Sequence, residues 1–160
     1  LPEQRKTVVL MKQVQWGVAK LAIPQSAGAG VTENGMYTVT SEQDACGVIA
    51  TSVTDSAYKG LSVTVLTEQQ MNNILTQAFN STDGKLSNAK STKVSFGSVK
   101  AYRTVGILTT DEGAGDCLIF TYITGNKMDM ICLLAYENDT ALKNMANGLM
   151  VGGVTASPQF

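Results

Sequence analysis

Three cysteines, thirteen carboxylates and no histidine are the groups with which this 160-residue chain could do chemistry. The missing imidazole excludes Ser-His-Asp and Cys-His catalysis, HExxH metal sites and histidine proton shuttles within the chain. Cys46, Cys117 and Cys132 form no CxxC pair, have no histidine to complete a zinc site of the usual type, and each sits in an apolar β-type run. A reactive thiolate needs a neighbouring Lys, Arg or helix N-terminus, so packed structural thiols are the economical reading. Asp111, Glu112 and Asp116 crowd the stretch Thr110 to Asp116 closely enough to suggest Ca²⁺, but the EF-hand spacing is absent and turns favour these residues anyway. Gly28-Ala29-Gly30 lacks the GxGxxG spacing and opens no helix, so it reads as a loop. No catalytic, cofactor-binding or metal-ligating residue is assigned on these grounds, and no cofactor is expected.

The elements that must position any site are those of one domain. A chain of this length buries roughly 70% of its unfolded surface, so residues 1–160 are expected to form a single unit, with 1–12 a variable or poorly ordered N-terminal segment. Twelve basic residues balance thirteen acidic ones, and the longest basic run is Arg5-Lys6, which argues against a nucleic-acid partner. No apolar stretch reaches the ~18 residues of a membrane-spanning helix. Leu1 in place of Met, followed by Pro2-Glu3-Gln4, carries the expectation of a mature domain trimmed upstream, with room for a lipid anchor before residue 1. Sparse charge, 16% of residues, and abundant Thr, Ser, Asn and Gly fit an exported protein, secreted or held at the cell surface as a lipoprotein. Two sequons, at Asn80 and Asn138, are short enough to arise by chance.

The clearest helix is predicted over Glu68 to Phe79, where Met71, Ile74, Leu75, Ala78 and Phe79 form one stripe. Thr67 and Gln70 are spaced for a capping box, and Leu66 and Met71 for a hydrophobic staple. A second helix is read from Asp139 to Asn147, capped by Asn138 or Asp139 and ended by a left-handed Gly148. One hairpin joins Lys93–Phe96 to Val99–Leu108 through Gly97-Ser98, and another joins Cys117–Thr124 to Lys127–Tyr136 through Gly125-Asn126. The second loop sets Ile119 opposite Cys132 and Cys117 opposite Leu134. The two cysteines are then diagonal, roughly 7–8 Å apart, beyond the roughly 4.5 Å that a disulfide tolerates between Cβ atoms, and no bond between them is expected. Both faces of this hairpin are apolar, so both must be covered.

Upstream, Trp16 to Pro24, Met36 to Thr40 and Cys46 to Val53 read as strands, and Leu61 to Leu66 as a further one. Thr7 to Met11 fits either a short strand or a helix end. Ser26 to Gly30 and Ser87 to Lys93 read as surface loops. Seven methionines, among them Met71, Met128, Met130, Met145 and Met150, either pack the core or line an adaptable groove, and most fall on stripes already needed for folding. Trp16, Tyr58, Tyr102 and Tyr136 are the aromatics to inspect for an exposed patch.

The Ile23-Pro24 strand end, the hairpin segment Gly97 to Arg103, and Asp116 to Tyr136 followed by Asp139 to Leu149 carry a resemblance to the Mog1/PsbP-like proteins over nearly the whole chain. The resemblance implies an α+β fold, an antiparallel sheet covered by helices as an α/β/α sandwich. Members of that group act by binding, as a GTPase-interacting factor or an extrinsic photosystem subunit, and no motif here transfers either role. The expected function is thus a non-catalytic binding or accessory module of a cell envelope, with an unidentified protein or small molecule as partner. A carrier of small apolar ligands is the second expectation. An enzyme using cysteine or carboxylates is the third.

Overall fold

A computed structural model describes residues 8–160. The first hairpin pairs β1 (Met11–Trp16) with β2 (Ala19–Pro24). A meander of β3 (Val31–Glu33), β4 (Met36–Ser41) and β5 (Cys46–Thr54) follows, then short 3₁₀ turns at Ser56–Tyr58 and Val63–Val65, and helix α1 (Glu68–Ala78). Four long strands come next: β6 (Gly84–Phe96), β7 (Val99–Thr110), β8 (Gly113–Thr124) and β9 (Lys127–Ala135). Helix α2 (Asp139–Gly148) and the small strands β10 (Met150–Val151) and β11 (Val154–Thr155) close the chain. The strands form a seven-stranded antiparallel sheet of order β3-β4-β5-β9-β8-β7-β6 and a four-stranded one of order β1-β2-β10-β11.

The apolar faces of β8 and β9 decide how these layers stack. Cys117, Ile119, Met130, Cys132 and Leu134 face Met71 and Leu75 of α1, together with Val63. Leu118, Phe120, Tyr122, Ile131 and Leu133 face the other way, onto Leu142 and Met145 of α2 and Leu21 and Ile23 of the small sheet. Each face is therefore covered by a helix, the α+β sandwich expected. The Gly125-Asn126 turn sets Ile119 opposite Cys132 and Cys117 opposite Leu134 as the loop length requires, and all three cysteines are free and buried. On the α2 side Phe96 meets Phe120 at 5.7 Å and Tyr122 at 6.1 Å between ring centroids, tilted contacts worth about 0.5–1.5 kcal/mol each beyond burial.

Helix α1 starts where its signals place it. The Thr67 hydroxyl accepts the Gln70 N–H and the Gln70 side chain accepts the Thr67 N–H, satisfying two otherwise orphaned donors. Polar ties then fix the helix on the sheet: Ser91 donates to the Asn72 side-chain Oδ1 at 2.5 Å and lies 2.7 Å from the Thr104 hydroxyl, and Tyr102 donates to Leu66 O at 2.6 Å. At the far edge the C-terminal tail is stitched down. Ser157 and Ser95 exchange backbone hydrogen bonds, and the Arg103 guanidinium donates to Pro158 O at 2.9 Å beneath the Phe160 ring.

Several expectations are corrected. Trp16 to Pro24 is not one strand: Gly17, at φ +56°, turns the chain so that Trp16 pairs with Ala19. Ser87 to Lys93 is not a loop but part of β6, an edge strand whose outward side is polar and whose ladder is broken by a bulge between Ser87 and Lys90, with Asn88 left-handed. Leu61 to Leu66 forms a 3₁₀ turn capped by the Ser62 hydroxyl. The variable segment drawn over 1–12 ends too late, because Met11 and Lys12 already pair with Pro24 and Ile23; residues 1–7 lie outside the described ones. Strand β3 went unread, although Asn34-Gly35, both at positive φ, makes the type of tight hairpin turn those two residues favour.

Gly148 does not take the left-handed cap expected of it; the helix ends at an extended Leu149, φ −65°. Its role is steric, since a Cβ there would lie 2.5 Å from the Ala22 Cβ, so only glycine lets α2 settle this closely on β2. Alanine would favour the helix by ~1 kcal/mol, yet overpacking costs about 1–3 kcal/mol. Gly148→Ala is therefore expected to lower the urea midpoint, and an unchanged or higher midpoint would assign the glycine no packing role.

Candidate functional site

Helix α1 covers only part of its face of the large sheet. Beyond it, β4 and β5 turn Thr38, Thr40, Gly47 and Ile49 outward on the same side, as the pairing of Ile49 with both Thr38 and Cys132 requires. Three turns rise around this uncovered strip: the β4–β5 turn with Glu42, the β7–β8 turn Asp111-Glu112, and the segment before β6 with Asp83. Together they enclose an open cleft of about 720 Å³, within the roughly 300–1,000 Å³ range of ligand sites.

Its floor is made by side chains lying over glycines. Tyr136 leans over Gly115, where a Cβ would sit 3.1 Å from the tyrosine ring and 2.6 Å from the Leu134 side chain, and the Tyr136 hydroxyl is 2.6 Å from that of Thr110. Gly47 is equally obligatory, since a Cβ would approach Val39 O to 2.7 Å. The Tyr136 N–H donates to Ala45 O, and the Asn138 side chain donates to Asp44 O at 2.8 Å while accepting the Ala141 N–H. With its amide so engaged and 9% exposed, Asn138 is an α2 cap and no glycan acceptor. Ser41, Ser26 and Asp44 are joined by side-chain hydrogen bonds that fasten the Ser26 loop to the same turn. Ala45 and Glu137 hold left-handed conformations, φ +49° and +50°, a cost of about 1–3 kcal/mol each for such residues that the surrounding bonds sustain.

The electrostatics of the cleft are one-sided. Of fifteen lining residues, Glu42, Asp83, Asp111 and Glu112 carry carboxylates and none is Lys or Arg. Ile49, Leu134 and Tyr136 supply an apolar floor. The carboxylates stand around a rim rather than converge, and among the described residues no group of three His, Cys, Asp or Glu is arranged to hold a metal ion. Cys46 reaches the cleft but is 5% exposed, and burial, with Asp44 nearby, pushes its thiol up to about 11. An acid–base or nucleophilic pair is not assembled here.

Of the residues weighed from sequence, Asp111, Glu112 and Tyr136 come together at this cleft. Asp116 does not. The acidic stretch is a two-residue turn followed directly by β8, so Asp116 pairs with Ile107 and Ala135 in the ladder and belongs to the opposite face from Cys117. Met71, Met128, Met130 and Met145 are packed in the two cores, while Met36, 39% exposed, stands at the edge of the uncovered sheet. Tyr102 is fully enclosed, and Trp16 and Tyr58 are half-buried against the cores. Glu42 and Asp83 were not singled out; each is an ordinary turn residue until the sheet brings three turns together.

Two further polar clusters lie away from the cleft. Asp129, 5% exposed, accepts a hydrogen bond from Ser52 at 2.6 Å beside Tyr122, whose hydroxyl has no hydrogen-bond partner among the described residues and is pushed up by burial and by Asp129. A depression of about 370 Å³ on the β6–β7 hairpin is flanked by Lys93 and Lys100.

No protein-family model matches the chain, and no curated protein matches it. Among solved structures, it is similar to the cyanobacterial PsbP (CyanoP) of Synechocystis sp. PCC 6803, with a TM-score of 0.64 over 90% of this chain and 94% of that one. The fold is PsbP-like. Sequence identity to CyanoP is 12%, so the likeness bears on the path of the chain and leaves the cleft residues to be argued from this sequence alone. No helix among the described residues is long and apolar enough to cross a membrane.

Two measurements follow from the site. At pH 8 a thiol near 11 is roughly 0.1% thiolate, and Cys132, hydrogen-bonded to Cys117 and fully buried, is held well above its ordinary value; the same hydrogen bond lowers Cys117, which at 1% exposure is shielded from reagent by packing. An aromatic disulfide reagent is expected to find no rapidly reacting thiol in native protein and three in denaturant; one fast native equivalent would reveal an activated cysteine. Because the Cys46 value lies above the unfolded ~8.5, its contribution to stability is complete below that pH and is lost as pH rises towards 11. Ala45→Gly relieves the left-handed strain and is expected to raise stability by about 0.5–1 kcal/mol in urea unfolding, whereas a loss would mean that the Ala45 methyl packs.

Proposed function

We propose that the protein is a non-catalytic binding module that receives a segment of a partner protein in the cleft over the uncovered strands β4 and β5. The observation that carries this reading is an open concavity on a rigid sheet, about 720 Å³ in volume, with an apolar floor and a polar rim. That is the anatomy of a recognition surface, where central apolar contacts are ringed by polar groups. The lack of histidine and of any converging acid, base and nucleophile favours binding over turnover.

The carrier of small apolar ligands draws less support. Both apolar layers are filled by the protein's own side chains, with Met71, Leu75, Phe120 and Ile131 at 0% exposure, and the remaining cleft is open and rimmed with carboxylates. Export to an envelope, and a lipid anchor ahead of residue 1, belong to the same proposal and rest on the sparsely charged composition.

The test places the photo-crosslinker benzoylphenylalanine at Thr38 in the cleft, or at exposed Lys20 on the small sheet, in protein expressed in its own host. One protein adduct is expected from position 38, absent from position 20, and abolished when Thr40→Trp fills the cleft. Equal adducts from both positions, or indifference to Thr40→Trp, would remove the reading. A small molecule found in the cleft by native mass spectrometry would replace it with the carrier.

A further inference from the structure

The charge distribution goes further than the existence of a cleft, because it specifies what the occupant must carry. The whole chain has a formal charge of −1, yet four carboxylates and no basic side chain line this one concavity. Among the described residues the cations lie elsewhere, with Lys85, Lys90, Lys93, Lys100 and Arg103 all on the β6–β7 hairpin. Four carboxylates around an apolar floor, with no basic side chain among the described lining residues, give the cleft a negative potential that an occupant of opposite sign complements.

We infer that the segment bound in the cleft is cationic and amphipathic, an extended stretch of the partner in which lysine or arginine alternates with large apolar residues. The inference rests on the partner-binding reading above. Its chemistry matches the two layers of the site. The apolar side chains, with the alkyl stems of the basic ones, lie on Ile49, Leu134 and the Tyr136 ring, while the charged ends rise to Glu42, Asp111, Glu112 and Asp83 at the rim, in the way long basic side chains divide themselves between apolar and polar surroundings. Tyr136 is the residue on which both layers meet. Its ring packs beside Gly115 and its hydroxyl is held by Thr110, so a cation would meet an aromatic side chain that is already fixed in place. A peptide fits better than a compact small cation, because the cleft is open along the sheet and would leave much of a small molecule in water.

The probes are three pentapeptides with blocked ends: alternating leucine and lysine, alternating leucine and glutamate, and alternating serine and lysine. Each is titrated into the isotopically labelled full chain while backbone amide resonances are followed. The leucine/lysine peptide is expected to shift the amides of Gly47, Ile49 and Thr110 to Glu112 saturably, the other two to do so weakly or not at all. In the variant E42Q/D83N/D111N/E112Q the affinity is expected to fall on the order of tenfold or more, with the remaining spectrum confirming an intact fold. Binding undiminished in this variant, equal binding of the glutamate peptide, or shifts confined to residues away from the cleft would each overturn the inference. Such a result leaves the partner-binding reading standing if crosslinking from Thr38 still responds to Thr40→Trp, so the two failures are distinguishable.

Discussion

The structure depends on a pair of strands that is apolar on both sides. Strands β8 and β9 bury Ile119 and Cys132 on one face and Phe120 and Ile131 on the other, so neither can lie at the surface of a one-sided sheet. A helix on each side is the minimum that removes both faces from water. The same fact weakens the usual check on register, because a slip by one residue would exchange one apolar face for another. The two-residue turn Gly125-Asn126, with Gly125 at φ +59°, therefore has to fix the pairing. The few polar groups that accept only one side reinforce it, notably Asp129, whose carboxylate meets Ser52 of β5.

Cover on the α1 side is incomplete, and the cleft exists because of it. Helix α1 has eleven residues and packs chiefly on β6, with the Val63–Val65 turn over β7 and β8, so neither reaches β4. What closes the gap is backbone: three turns whose side chains are short, acidic or small. The β4–β5 turn among them is held by ties to the segment leading into α2, through Ala45, Asp44 and Asn138. The helix on one face of the sheet thus helps to hold the rim of a cavity on the other.

Local chemistry was legible where a signal lies within a few residues. The Thr67 and Gln70 capping pair and the diagonal Cys117 and Cys132 are examples, since each follows from spacing alone. Asn34-Gly35 is an equally local signal that went unused, and with it strand β3. Ser87 to Lys93 misled because an edge strand with a solvated side has the composition of a loop. Gly148 misled because a glycine needed for close approach cannot be told from one needed for a positive φ without the neighbour, Ala22, that it approaches. The cleft was legible in fragments only: Asp111, Glu112 and Tyr136 attracted notice, while Glu42 and Asp83 become neighbours of theirs through strand pairings spanning tens of residues.

The small sheet has a consequence for how the molecule is made. Its order β1-β2-β10-β11 joins the first described hairpin to the last, so Lys20 cannot find Met150 until all the residues between them have emerged from the ribosome. Until then the face carrying Leu118, Phe120, Ile131 and Leu133 has no lid. Contacts of such long sequence separation form slowly, and a chain that waits with this much apolar surface uncovered is open to chaperones or to aggregation.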